Sequence, residues 1–226
     1  MANQNTSNRV LLVEGESDKH VVRRLCNRYP DFQIVDDDDD RLEFRSPESE
    51  SSEWQTIDIL NRVNVEQLLE SINVEIKVSG RQAVGILVDA NDNLRSRWDA
   101  VGYRLRMAKI QFPQFPESAG TIIEGKPRVG IWLMPDNESS GELEDFVVKM
   151  IPDGDPVWPL SQQYIDGIPT DNRKFTEKKM LRAKLYAWLA ARRDPKQMGS
   201  AILSHDLKVD GPLCQDFVDW LIKLFK

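Results

Sequence analysis

The segment RVLLVEGESD, residues 9–18, constrains the fold more than any other part of the chain. Residues 9–14 are a short apolar run that reads as a buried parallel strand, because a strand covered on both faces need not alternate. The run stops at Gly15, and Asp18 supplies a helix-start signal. Val21, Val22 and Leu25 then fall on one face of a helix running to Tyr29. A strand that passes directly into a helix opens a βαβ unit. An α/β fold is therefore expected, with a central, mostly parallel sheet flanked by helices.

Two more segments repeat the pattern. QAVGILVD, residues 82–89, is a buried strand ending on an aspartate, and residues 94–110 follow as a helix rich in basic residues. RVGIWLMP, residues 128–135, is a third strand, with a helix starting around Ser140. Between the first two strands, Asn64 is placed to cap a helix carrying Val65, Leu68, Leu69 and Ile72. Residues 36–58 are less regular: an aspartate run from Asp36 to Asp40, LEFR as a short strand, then polar SPESESSE. This stretch reads as a solvated insertion outside the sheet core, with room for a hairpin. The aspartate run lacks the glycine and spaced ligands of a calcium loop.

The last third changes character. Residues 176–192 carry Leu181, Leu185, Trp188 and Leu189 at helical spacing, and residues 213–225 carry Leu213, Phe217, Trp220, Leu221 and Leu224. The expected layout is an α/β domain over residues 8–150 and a helical extension over 151–226 packed on the same domain.

Composition removes several classes of function. A net charge of −7 argues against a general nucleic-acid coat. Two histidines, His20 and His205, cannot build a His-rich zinc site, and Cys26 and Cys214 suggest neither a disulfide framework nor a thiolate site. No apolar run approaches the ~20 residues of a membrane span, and MANQNTSNRV lacks the regions of a signal peptide. A cytoplasmic protein with no membrane partner is expected. Hard-metal chemistry through carboxylates is the well-supplied option.

Glu14, Asp89 and the Asp136 to Asp145 region follow the three strands. Carboxyl ends of parallel strands share one edge, where open α/β folds bind ligands. Carboxylates gathered there repel one another unless a cation neutralises them. Mg²⁺ or Mn²⁺, held by a few protein oxygens and several waters, is the expected neutraliser.

On these residues the chain resembles a known family. Leu-Val-Glu14-Gly15-Glu16-Ser17-Asp18 looks like the Toprim signature of a strand, Glu, Gly and a following Asp. Leu-Val-Asp89-Ala-Asn91-Asp92 resembles the second Toprim motif, a strand ending in Asp-x-Asp. The family includes type IA and type II topoisomerases, bacterial primases and OLD-type nucleases, and the form EGxSD is closest to the OLD-type branch. The resemblance covers residues 8–150. GIWLMPDNESSGELEDF, with a late WLA-containing helix, looks like a prokaryotic group of small Toprim-like proteins. Position 91 departs from the family pattern, with Asn91 offering a carbonyl oxygen but no charge where aspartate is usual.

The resemblance implies a metal-dependent nuclease or related phosphodiester enzyme acting on nucleic acid. Glu14, Asp18, Asp89 and Glu144 are the implied metal ligands, with Asn91 and Asp92 as further candidates. Glu14 and Asp89 would also serve catalysis, Glu14 as ligand or general base. Glu142 and Glu144, two apart, face different directions on a helix; Glu144 is favoured and Asp136 competes. Lys178 and Arg182 resemble the late basic residue that OLD-type nucleases use to stabilise transition-state charge. Arg95, Arg97, Arg104, Arg106 and Lys109 either steer a phosphate backbone or form a solvated helix face. OLD-type nucleases usually carry a fused ATPase. This chain has no G-x-x-x-x-G-K-[ST] loop, so an ATPase would act in trans. Topoisomerase and primase action are not expected, for want of a gate domain and a zinc domain. The other reading is a catalytically inactive Toprim-like module that binds a protein or nucleic-acid partner.

Overall fold

The computed structural model describes residues 7–35, 40–46 and 53–226. Its strands are β1 (Arg9–Val13), β2 (Phe32–Ile34), β3 (Arg41–Phe44), β4 (Gln55–Asn61), β5 (Ala83–Asp89), β6 (Thr121–Ile123) and β7 (Arg128–Met134). Its helices are α1 (Glu16–Cys26), α2 (Val65–Ile76), α3 (Leu94–Met107), α4 (Leu143–Val148), α5 (Val157–Asp166), α6 (Met180–Ala190), α7 (Met198–Leu203) and α8 (Pro212–Phe225). The strands form one sheet in the order β2-β3-β4-β1-β5-β7-β6. β4, β1, β5 and β7 run parallel, while β2 and β3 at one margin and β6 at the other are antiparallel. The mostly parallel α/β architecture expected from the strand-to-helix transitions is present.

Why the inner strands read as unbroken apolar runs follows from what covers them. Val10 and Leu12 of β1 join Val84, Ile86 and Val88 of β5 in a core roofed by α2 and α3. Leu11 and Val13, pointing the other way, join Leu87 and Trp132 in a second core roofed by α1, α4, α6, α7 and α8. Each alternate residue is buried on its own side, so alternation disappears.

Helix α8 lies directly on the sheet, over a shallow seat made by Gly85 and Gly130, which are register partners. A Cβ on Gly130 would come within 2.7 Å of Leu224, and one on Gly85 within 3.0 Å of it. The absence of two side chains lets Trp220 and Leu224 pack against the backbone. The residues after 151 thus complete one of the two cores.

Two expectations change, and four elements had no reading from sequence. Residues 36–58 do not stand outside the sheet: β3 and most of β4 fall within them, and β4 pairs directly with β1. The β4 run QTIDILN hides a strand because Asp58 sits in its middle. It is buried at 9% exposure, accepts the Ser7 backbone N–H at 2.7 Å and pairs with Arg41 at 3.1 Å. Asp36 to Asp39 and residues 47–52 of the polar stretch lie outside the described residues, while Asp40 is exposed and meets Lys19 at 2.7 Å. The 176–192 helix begins only at Met180, after a 3-10 turn over Glu177–Lys179, so Lys178 lies outside the helix that carries Arg182. Finally β2, β6, α5 and α7 carried no clear periodic signal, being three to ten residues long.

The connection leaving β1 passes into α1 on one face of the sheet, and that leaving β5 passes into α3 on the other. Because β1 and β5 are neighbours, their diverging loops leave a crevice at the carboxyl edge. Glu14 and Asp89 stand at its two sides.

Candidate functional site

Glu14 directly follows β1, and its Oε1 accepts the Asp89 backbone N–H at 2.9 Å. Gly15 begins α1, with its N–H donating to Asp18 Oδ2 at 3.1 Å. Asp18 thus serves as the first-turn capping acid of α1, but it is only 7% exposed. Asp89 Oδ1 accepts the Leu143 N–H at 3.0 Å, which binds the end of β5 to the start of α4. The next residue, Glu144, is 5% exposed and pairs with Arg182 Nε at 3.0 Å. Glu14, Asp18, Asp89, Glu142 and Glu144 line one pocket of about 420 Å³.

Burial and mutual repulsion dominate its electrostatics. Desolvation, then the charges of Asp18, Glu14, Glu142 and Glu144, push Asp89 up to about 9. Asp18 rises to about 7 through burial and the charges of Glu14 and Glu144, against the hydrogen bond from Gly15. Glu14 is raised mainly by burial, opposed by the Asp89 N–H and by Arg97. Glu144 is raised by burial, opposed by Arg182. Carboxylates this desolvated favour a proton or a cation.

The donor set fits a hard divalent cation: the converging side chains are carboxylates, with no thiolate or imidazole among them. Among the described residues, no group of three or more His, Cys, Asp or Glu side chains is disposed to hold a metal ion. The hydrogen bonds explain the spread. Glu14, Asp18 and Asp89 each lean on a separate backbone N–H, and Glu144 leans on a guanidinium.

Asn91 lines the same pocket with φ +53°, a left-handed conformation that asparagine tolerates better than most residues. It exchanges two backbone hydrogen bonds with Gly141, at 2.7 and 2.9 Å. Its amide satisfies both neighbours in one orientation, with the nitrogen donating to Glu142 Oε1 and the oxygen accepting from Arg97 Nη2, each at 3.0 Å. Asparagine at this position therefore joins the β5 and α4 loops. Asp92 does not line that pocket; it is exposed and pairs with exposed Lys178. Both line a neighbouring pocket of about 330 Å³, along with Glu144 and Arg182. Asp136 turns back on its own loop, accepting the N–H groups of Glu138 and Ser139 at 3.1 and 2.7 Å.

One contributor was not singled out by the sequence, and another was left open. Lys179 places its ammonium 2.6 Å from both oxygens of Glu142. Arg97, which sequence alone left undecided, donates to the Asp89 carbonyl at 2.8 Å. By contrast Arg95 pairs with Asp99 at 3.0 Å, and Arg106 lies over Phe112. Neither lines the acidic pocket. Position in the KK pair of the 3-10 turn was the one available hint for Lys179.

A parallel α/β sheet with an acidic pocket at its switch crevice, hemmed by basic side chains from a later helix, defines the class of domain. The chain belongs to the family described as Protein of unknown function (DUF3226), whose model matches residues 8–226. No curated protein and no solved structure matches the chain. No helix among the described residues is long and apolar enough to cross a membrane.

Proposed function

We propose that this chain is a Toprim-like, divalent-metal-dependent nuclease or related phosphodiester enzyme acting on nucleic acid. The observation that carries this reading is the meeting of Glu14, Asp18, Asp89 and Glu144 at the β1–β5 crevice, with Asp18 and Asp89 pushed up to about 7 and about 9. These four residues would hold Mg²⁺ or Mn²⁺, which when bound supplies charge stabilisation and a more acidic water. In this reading Glu14 and Asp89 would also serve catalysis, Glu14 as ligand or general base. Arg182 and Lys178, now paired with Glu144 and Asp92, are placed to exchange those partners for phosphate oxygens. Arg97 and Asn91 fix the β5 loop that carries Asp89. An ATPase supplied by another chain belongs to this reading, by analogy with OLD-type nucleases, as does work inside the cytoplasm.

A second reading has its own support. Lys179 and Arg182 already neutralise Glu142 and Glu144, as expected of an inactive module that binds a protein or nucleic-acid partner without a cation. Calorimetry with Mn²⁺ and cleavage assays on DNA and RNA separate the two. The nuclease reading expects saturable Mn²⁺ binding and cleavage abolished by Asp89→Ala or Glu14→Ala. Absence of Mn²⁺ binding together with absence of cleavage overturns it.

A further inference from the structure

At the opposite edge of the sheet, where the inner strands begin, lies a pocket of about 620 Å³. Its character is the reverse of the acidic site. Arg9, Arg81, Lys126, Arg128 and Lys226 line it, with Arg128 Nη1 donating to the Lys226 oxygen at 3.1 Å, and no aspartate or glutamate side chain does. Arg9, Ala83 and Arg128 are in register across β1, β5 and β7, so the two arginines flank β5 on one face.

The guanidinium groups are held in place from behind. Arg9 Nε donates to the Phe225 carbonyl at 3.0 Å, and Arg128 Nη1 to the Lys223 carbonyl at 3.0 Å, which fastens both to the end of α8. Arg128 Nε also pairs with Glu124 at 3.0 Å. Arg81 is 6% exposed and bonds Glu75 and the Ser7 carbonyl, yet its Nε is buried with no hydrogen-bond partner among the described residues. Arg9 is held below its ordinary value, by burial first and then by the charge of Arg128. Arg9 and Arg128, fixed on one face as cations that repel each other, match an anion of more than one charge. Ile76, Val78 and Pro127 add an apolar wall, and the volume falls within the ~300–1,000 Å³ of small-molecule sites.

We propose that this pocket binds an organic phosphate of nucleotide size, its phosphates on Arg9, Arg81, Lys126 and Arg128 and its apolar body on Val78 and Pro127. The site is distinct from the acidic crevice and stands whether or not that crevice is catalytic.

Isothermal titration in EDTA, with adenosine 5′-diphosphate and inorganic pyrophosphate as probes, tests it. The diphosphate nucleotide is expected to bind saturably with a Kd below about 1 mM, and more tightly than pyrophosphate. Lys126 is exposed in a loop, and Lys126→Glu should weaken both probes by roughly tenfold or more through charge reversal. Val78→Asp should weaken the nucleotide more than pyrophosphate. No saturable binding of either probe, or binding unchanged in Lys126→Glu, overturns the site. Equal affinity for the two probes overturns its assignment to an organic ligand.

Discussion

The Glu14 carboxylate accepts the backbone N–H of Asp89 at 2.9 Å, so the acid that follows β1 and the acid that closes β5 are locked side by side. The strand order makes them neighbours, and this hydrogen bond sets their spacing. It also orients Glu14 towards a second carboxylate that burial drives to about 9. Two groups that each resist ionisation are thereby held together, and the consequences are measurable.

Asp89→Asn should stabilise the metal-free protein and, under the proposed metal-dependent reading, weaken Mn²⁺ binding. The amide keeps an oxygen for the Leu143 N–H while removing the cost of keeping protonated, in the folded state, a carboxyl that ionises freely in the unfolded chain. The expected gain at pH 8 is on the order of 1–2 kcal/mol, or roughly 2–8 °C in Tm for a chain of this size. Mn²⁺ affinity should fall at least about tenfold by calorimetry, since a neutral oxygen replaces a carboxylate. Thermal unfolding with and without Mn²⁺ checks both halves.

The same shifts predict a pH dependence. Unfolded aspartate titrates near ~3.9, whereas folded Asp18 and Asp89 titrate at about 7 and about 9. Between those limits the folded state binds more protons than the unfolded state, so these residues make stability fall as pH rises. The contribution from Asp18 should level off above about pH 7, and that from Asp89 above about pH 9. In Asp18→Asn/Asp89→Asn protein this descent should flatten. Denaturant titrations at pH 5, 7 and 9 provide the comparison.

Arg182→Met tests whether the internal cation substitutes for a metal. Arg182 is half exposed at 47% of its side chain, so loss of the ion pair should cost only about 0–1 kcal/mol of stability. Mn²⁺ should bind more tightly, because Glu144 is released, while cleavage slows by ~10²-fold or more as phosphate stabilisation is lost. Unchanged Mn²⁺ affinity would show that Glu144 is not a ligand.

Asn91→Asp should leave metal affinity nearly unchanged and cost about 1 kcal/mol in stability. The lost amide donor faced Glu142, and a carboxylate there meets a like charge. A marked gain in Mn²⁺ affinity would instead make position 91 a ligand.

Gly120→Ala probes the roof of the sheet. Gly120 adopts φ +82°, and an added Cβ would run into the Trp220 indole. That ring is fixed against Trp132 and Phe217. Positive φ and overpacking act together, so a loss of about 2–4 kcal/mol is expected by denaturant unfolding.

The sequence by itself determined three of the four inner parallel strands, most of the long helices and the two acids at the β1–β5 crevice. RVLLV, AVGILVD and RVGIWLM are continuous apolar runs because both faces of the sheet are covered, and local composition records that directly. Glu14 and Asp89 were legible as strand-end residues for the same reason. Tertiary structure alone decided that β4, with Asp58 at its centre, pairs with β1. It also decided that Asn91 ties two loops together, and that Glu142 and Glu144 are met by Lys179 and Arg182 from a later segment. Burial of a strand or helix face leaves a periodic trace in the chain. An ion pair between distant segments leaves none, because only the packed sheet and helices bring its members within reach.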